Sequence, residues 1–153
     1  MIVLDYLIAN EDRHLNNFGL IRDANTLQWL SSAPIFDSGS SLGYNKIARQ
    51  ITAFGEIECK PFKKTHTEQL KLVSSFAWFS PERLAGFETE LSEILSEAGD
   101  YMEEQRKQRI IEAYTIRAER LMELTMNPVK QEDNLSEDVK ENHAERYEMD
   151  YQM

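Results

Sequence analysis

Asn10-Glu11-Asp12-Arg13-His14-Leu15-Asn16-Asn17-Phe18 is the stretch on which the reading of this chain turns. It is densely polar, yet apolar segments flank it on both sides. Before it, Ile2, Val3, Tyr6, Leu7 and Ala9 fall at roughly helical spacing, which predicts a buried helix over residues 1–9. No capping residue precedes that helix, and because the first amides of a helix need partners, further sequence is expected on its N-terminal side. After the stretch, Phe18-Gly19-Leu20-Ile21 and Thr26-Leu27-Gln28-Trp29-Leu30 are short strand-like runs around Arg22-Asp23-Ala24-Asn25, whose Asp and Asn suit a turn. A β-hairpin follows from that pattern. Ala33-Pro34-Ile35-Phe36 then leads into Asp37-Ser38-Gly39-Ser40-Ser41, which places Asp37 at a strand exit where small residues let the backbone bend.

The chemistry suggested by this order is phosphoryl transfer. Such a reaction needs a carboxylate to orient an attacking hydroxyl and accept its proton, and oxygen ligands to hold Mg²⁺ against the nucleotide phosphates. Asp12, Asn17 and Asp37 supply that set. The Asp-x-x-x-x-Asn spacing presents a base at one end of a loop and a metal ligand at the other, while a later segment brings the second ligand. Taken singly, Asp12 and Asn17 read as an Asx-turn or helix-cap cluster; the order of all three favours catalysis.

At these residues the chain resembles the C-terminal lobe of HipA-like serine/threonine kinases, bacterial toxins and their relatives with a protein-kinase-like fold. The family's catalytic loop, Asp-x-His-x-x-Asn-Phe, is similar to Asp12-Arg13-His14-Leu15-Asn16-Asn17-Phe18. The resemblance implies Asp12 as catalytic base and Asn17 as metal ligand, with Asp37 of Ile35-Phe36-Asp37-Ser38-Gly39 as the metal-binding aspartate. Cys59-Lys60-Pro61-Phe62 and the helices ending near Met126 also resemble that lobe, so the likeness covers roughly residues 1–126. The implied fold is α+β, mostly α, with a small hairpin beside the catalytic loop. The implied cofactors are ATP and Mg²⁺, and the implied reaction is phosphorylation of serine or threonine in a protein substrate. Phosphoinositide kinases share the Asp-Arg-His piece; the helical second half favours the HipA-like family. The glycines stand at positions 19, 39, 43, 55, 86 and 99, so neither a Gly-rich phosphate loop nor a strand lysine precedes Asp12. A nucleotide-gripping N-lobe or an antitoxin-like partner is therefore expected. The competing expectation is a non-catalytic, truncated kinase remnant that acts as a protein-binding module.

Residues 42–64 lack periodicity and read as a long irregular segment. Thr67–Phe79 reads as a helix, and Ser80-Pro81 starts another that carries Leu84, Phe87, Leu91, Ile94 and Leu95 on one face. Residues 100–126 space Ile110, Ala113, Tyr114, Arg117, Leu121 and Leu124 by threes and fours, which predicts the longest helix. Residues 127–153 hold eight acidic and three basic groups and no apolar face, which predicts a disordered acidic tail.

Hydrophobic residues make up 41% of the 153, enough for one core and not two. A formal net charge of −10 disfavours a broad nucleic-acid or anionic-lipid footprint. The one cysteine, Cys59, excludes an internal disulfide framework, fits a reducing compartment and is not read as a catalytic thiol. No apolar run approaches membrane-spanning length, so a cytoplasmic location is expected. Among the remaining polar residues, His14 reads as a hydrogen-bonding core histidine, and Arg13 either neutralises a carboxylate or is solvated. Lys60, Lys63 and Lys64 read as a solvated cluster before a phosphate contact, Ser38, Ser40 and Ser41 as turn residues before phosphoacceptors. Trp29 and Trp78 are expected to pack inside.

Overall fold

A computed structural model describes residues 1–53 and 55–126. The chain divides into two compact units, Met1–Glu119 and Arg120–Met153. The acidic tail expected over residues 127–153 lies outside the described residues. The architecture is mixed and mostly helical. Its elements are α1 (Ile2–Ile8), β1 (Leu20–Arg22), β2 (Trp29–Ser32), α2 (His66–Leu70), α3 (Phe87–Ser96) and α4 (Glu104–Met126), joined by 3₁₀ turns. No described helix is long and apolar enough to cross a membrane.

The first helix buries Val3, Tyr6 and Leu7, as its spacing predicts, but it also buries Asp5. Ala9 closes it in the left-handed region, with φ 50°. The Asn10 amide then donates back to the Asp5 carbonyl, so the chain turns sharply out of the helix and into the polar loop. Helix α1 packs against α2, and Tyr6 meets His66 edge-on at 6.3 Å between ring centroids.

The hairpin forms one to three residues later than the apolar runs suggest. Leu20 pairs with Ser32, Ile21 with Ser31 and Arg22 with Trp29, with an irregularity between Ile21 and Arg22. Asp23 makes the turn: its Oδ1 accepts from the amides of Asn25 (2.8 Å) and Thr26 (2.7 Å). Both faces of the hairpin are exposed, Trp29 included. Trp29 is thus not a core residue, and its ring instead carries the Arg22 guanidinium at 5.3 Å. Trp78 is likewise exposed.

Residues 42–64 are irregular, as expected, apart from a 3₁₀ turn at Ala48–Gln50 and a bridge between Glu58 and Thr65. The helix expected over 67–79 is one and a half turns, His66–Leu70, opened by a capping box. In that box Thr65 Oγ1 accepts from the Glu68 amide and Glu68 Oε2 from the Thr65 amide. The helix tightens and stops at Leu70, with the Leu72 and Val73 amides donating three residues back to the Gln69 and Leu70 carbonyls, and farther on Ser75 organises a separate turn. Its hydroxyl accepts from the Ala77 amide, and its carbonyl accepts from Trp78 Nε1. The helix expected from Ser80 is split. Pro81–Leu84 is a 3₁₀ turn, the Ser80 hydroxyl donates to Glu82 instead of capping, and Gly86 at φ 80° breaks the chain before α3. Ile94 is exposed, whereas Leu91 and Leu95 are buried. Helix α4 is the longest at 23 residues and buries Ile110, Ala113, Tyr114 and Arg117, while Leu124 is exposed. Phe87 of α3 stacks on Tyr114 at 4.6 Å.

Candidate active site

The polar loop is built around a completely buried guanidinium. Arg13 faces the helix in one direction, where its Nε donates to Asp5 Oδ2 (3.0 Å) and its terminal nitrogen to Asp5 Oδ1 (2.8 Å), in the forked geometry that arginine offers a carboxylate. In the other direction it reaches the Asn17 carbonyl (3.3 Å), the Phe36 carbonyl, the Asp37 carbonyl (3.4 Å) and the Ser38 hydroxyl (3.1 Å). One side chain therefore joins α1, both ends of the loop and the Asp37 segment. Hydrogen bonding to Asp5 holds the Arg13 pKa above its ordinary value despite burial. Asn10, also fully buried, donates to Asp5 Oδ1 (3.1 Å) and accepts from the Asp12 amide (3.3 Å), which fixes the start of the loop.

This frame sets the places of the three expected site residues. Asn17 is buried, and its Nδ2 donates to Asp37 Oδ2 at 2.8 Å across twenty positions of sequence. Asp37 does not sit at a strand exit. Strand β2 ends at Ser32, and the aspartate follows an irregular run, with φ 54° in the left-handed region. That backbone costs a non-glycine residue on the order of 1 kcal/mol, and the Arg13 bonds to the Phe36 and Asp37 carbonyls hold it in place.

Asp12 is turned elsewhere: its half-exposed carboxylate accepts from Lys60 Nζ at 2.6 Å. That hydrogen bond, with the charge of the ammonium and a smaller contribution from His14, holds the Asp12 carboxyl below the usual carboxylate range and the Lys60 ammonium above its own. His14 is half-buried and is not the core histidine of this protein.

The core histidine is His66. It is nine-tenths buried, its Nε2 has no hydrogen-bond partner among the described residues, and burial drives its pKa down to about 4. Beside it, buried Gln69 donates through Nε2 to Cys59 Sγ (2.7 Å) and to the Lys60 carbonyl (2.7 Å). Burial raises the Cys59 thiol, the opposite of what a nucleophile needs.

Asn17 and Asp37 offer hard oxygen donors only, the chemistry Mg²⁺ selects. Among the described residues no group of three or more His, Cys, Asp and Glu side chains gathers as a cation cage. Two oxygen ligands suit a site that shares its cation with phosphates and water. A cavity of about 400 Å³ lies along Glu11, Lys46, Ile51, Glu58 and Arg117, and none of the trio is in its wall.

Asp5, His66 and Gln69 belong to this frame and do not stand out in the sequence as functional residues. Asp5 had a signal, as the lone acid on an apolar stripe, and the Thr65-His66-Thr67-Glu68 box announced where α2 begins. No protein-family model, curated protein or solved structure matches the chain.

Proposed function

We propose that this chain is the catalytic and metal-binding lobe of a HipA-like serine/threonine kinase, acting on a protein substrate with ATP and Mg²⁺. The observation that carries the reading is the contact between Asn17 and Asp37 at 2.8 Å, because it joins the two residues that the motif would use as metal ligands. Asp12, at the far end of the same loop, keeps an ionised and accessible carboxylate. In this reading Asp12 orients the acceptor hydroxyl and takes its proton, and Asn17 Oδ1 and the Asp37 carboxylate hold the cation. When bound, Mg²⁺ would neutralise charge on the phosphates being transferred. The Arg13 fork keeps the two ends of the loop and the Asp37 backbone in register, which is the positioning that phosphoryl transfer depends on.

The grip on adenine and the remaining phosphates belongs, in this proposal, to a partner lobe. The exposed apolar side chains of the hairpin, Leu20, Ile21, Trp29 and Leu30, favour a docking body at this end of the molecule. The same surface favours the second reading, a non-catalytic binding module.

Transfer of labelled phosphate from ATP to serine or threonine, by the chain alone and by the chain mixed with a HipA-type N-lobe, separates them. The expected result is weak transfer alone and stronger transfer in the mixture, falling by on the order of 10²–10⁴ with Asp12→Ala. Transfer indifferent to Asp12→Ala would remove the catalytic reading, and no transfer in either form would leave the binding module.

A further inference from the structure

Lys60 is an exposed side chain on a fixed backbone. Its carbonyl is held by buried Gln69, and two positions on, Phe62 packs on Phe18 at the end of the polar loop, with 5.7 Å between ring centroids. The segment is thus tied to α2 on one side and to the loop on the other, and its ammonium is delivered to Asp12 Oδ1 at 2.6 Å. A carboxylate paired this closely is ionised but engaged. An acceptor hydroxyl would have to compete with the ammonium for it. Neither partner is buried, so nothing in the packing locks them together. The other charged or titratable groups felt here are His14 near Asp12 and Tyr44 near Lys60.

We propose that Lys60 is a phosphate-binding residue of this site, an inference that rests on the kinase reading: its ammonium holds Asp12 in the resting chain and exchanges that carboxylate for the γ-phosphate when ATP binds. The exchange frees Asp12 as charge arrives on the phosphate side. In the transfer, the acceptor oxygen forms a bond to the γ-phosphorus and the bond from that phosphorus to the β,γ-bridging oxygen breaks. The bonding pair leaves with ADP, and the hydroxyl proton passes to Asp12. Lys60 faces the developing negative charge on the phosphoryl oxygens, where a lysine acts as a mobile point charge. Lys63, three residues on and also exposed, serves as the control.

The test is NMR of the full chain, with the Lys60 Nζ, Asp12 carboxyl, Asn17 and Asp37 signals followed during titration with Mg·ATP up to millimolar concentrations, and with Mg²⁺ alone. Lys60 and Asp12 should move with Mg·ATP and stay still with Mg²⁺. Lys60→Met should weaken Mg·ATP binding by about 1.5- to fivefold, the range of an exposed ion pair, while Lys60→Arg retains most of it and Lys63→Met changes nothing. Asp12→Asn should tighten binding by a similar factor, because the competing carboxylate is gone, and adding Lys60→Met should erase that gain. A purely structural ion pair would not produce the tightening. Shifts at Asn17 and Asp37 without any at Lys60, and with Lys60→Met binding as wild type, would overturn this proposal and leave the kinase reading standing. Silence at all four residues, with a HipA-type N-lobe present as well as absent, would overturn both.

Discussion

Two ion pairs hang from the same polar loop, one residue apart, and they behave as opposites. Arg13–Asp5 is sealed from solvent and shares its guanidinium with carbonyls from two further segments, the loop end and the Asp37 run; Lys60–Asp12 is open to water and makes a single contact. Similar charges at similar distances therefore do different work. In the interior, desolvation makes a broken pair expensive, so the inner pair fixes the shape of the loop. At the surface, water competes with each partner, so the outer pair is free to exchange. On the proposed kinase reading, a chain that has to hold Asn17 against Asp37 while leaving Asp12 available gains from having one of each.

Breaking the inner pair should have the largest effect. Arg13→Met strands the Asp5 carboxylate and leaves the Phe36 and Asp37 carbonyls without their donor, and a loss of about 3–5 kcal/mol is expected. Urea unfolding of the variant beside wild type measures it. The double variant Asp5→Leu/Arg13→Met should recover part of the loss by removing the orphaned charge. It should not recover all, since the carbonyls facing the loop remain unserved. A single variant that unfolds at the wild-type midpoint would mean that the buried pair is no scaffold.

His66 sharpens the same contrast, because it lies within the field of Asp5 and is buried as a neutral ring. Its pKa in the folded chain is about 4, below the value of about 6.5 expected when unfolded. The unfolded chain therefore binds the extra proton in the window between those values. Stability from this residue is fully present above pH 6.5 and is lost as the pH falls toward 4, by about 2 kcal/mol between pH 6.5 and pH 5. Unfolding midpoints at pH 7, 6 and 5 should show that slope in wild type and lose it in His66→Gln. An unchanged slope in the variant would assign the pH dependence to other groups.

The Asn17–Asp37 pair lies between these extremes, since Asn17 is buried but Asp37 reaches the surface. Mn²⁺, used as a paramagnetic stand-in for Mg²⁺, should broaden Asn17 and Asp37 at millimolar concentrations, as suits two protein ligands without phosphates. Asp37→Asn should weaken the effect severalfold by removing the only charge of the pair, with little change in melting temperature. Undisturbed signals at both residues would exclude this cation site.

How much of this was legible beforehand follows from what each feature depends on. The Asp12-to-Asn17 spacing and the helical stripe of α1 are local patterns, and Asn17 does meet Asp37. The burial of Arg13 was not legible, because its partners are an aspartate eight residues back and carbonyls more than twenty residues ahead. A local pattern gives a guanidinium no direction. The exposure of Trp29 and Trp78 escaped for a related reason, since hydrophobic size predicts burial only where another element arrives to cover it. The helix expected over 67–79 stops at Leu70, where the amides of Leu72 and Val73 close tight turns, and the one expected from Ser80 is interrupted at Gly86.

The smallest expected effect is the most discriminating. If the outer pair is an exchangeable contact and not a support, Lys60→Met should leave the unfolding midpoint at pH 7 within error of wild type, although it removes a hydrogen bond of 2.6 Å. Its signature belongs in the titration of Asp12. The ammonium now holds that carboxyl below its ordinary value, so its removal should let the apparent pKa of Asp12 rise, read from the carboxyl carbon by NMR. The sign is fixed: a carboxylate stabilised by its partner releases its proton at lower pH, and without the partner it holds the proton longer. Raising salt toward 1 M should move wild type in the same direction, because screening at that ionic strength acts over roughly 3 Å. Salt should leave the Arg13–Asp5 pair untouched, since no ions reach it. A large loss of stability in Lys60→Met, or an Asp12 titration that does not move, would erase the distinction between the two pairs and with it the ground for treating Lys60 as a residue that changes partners.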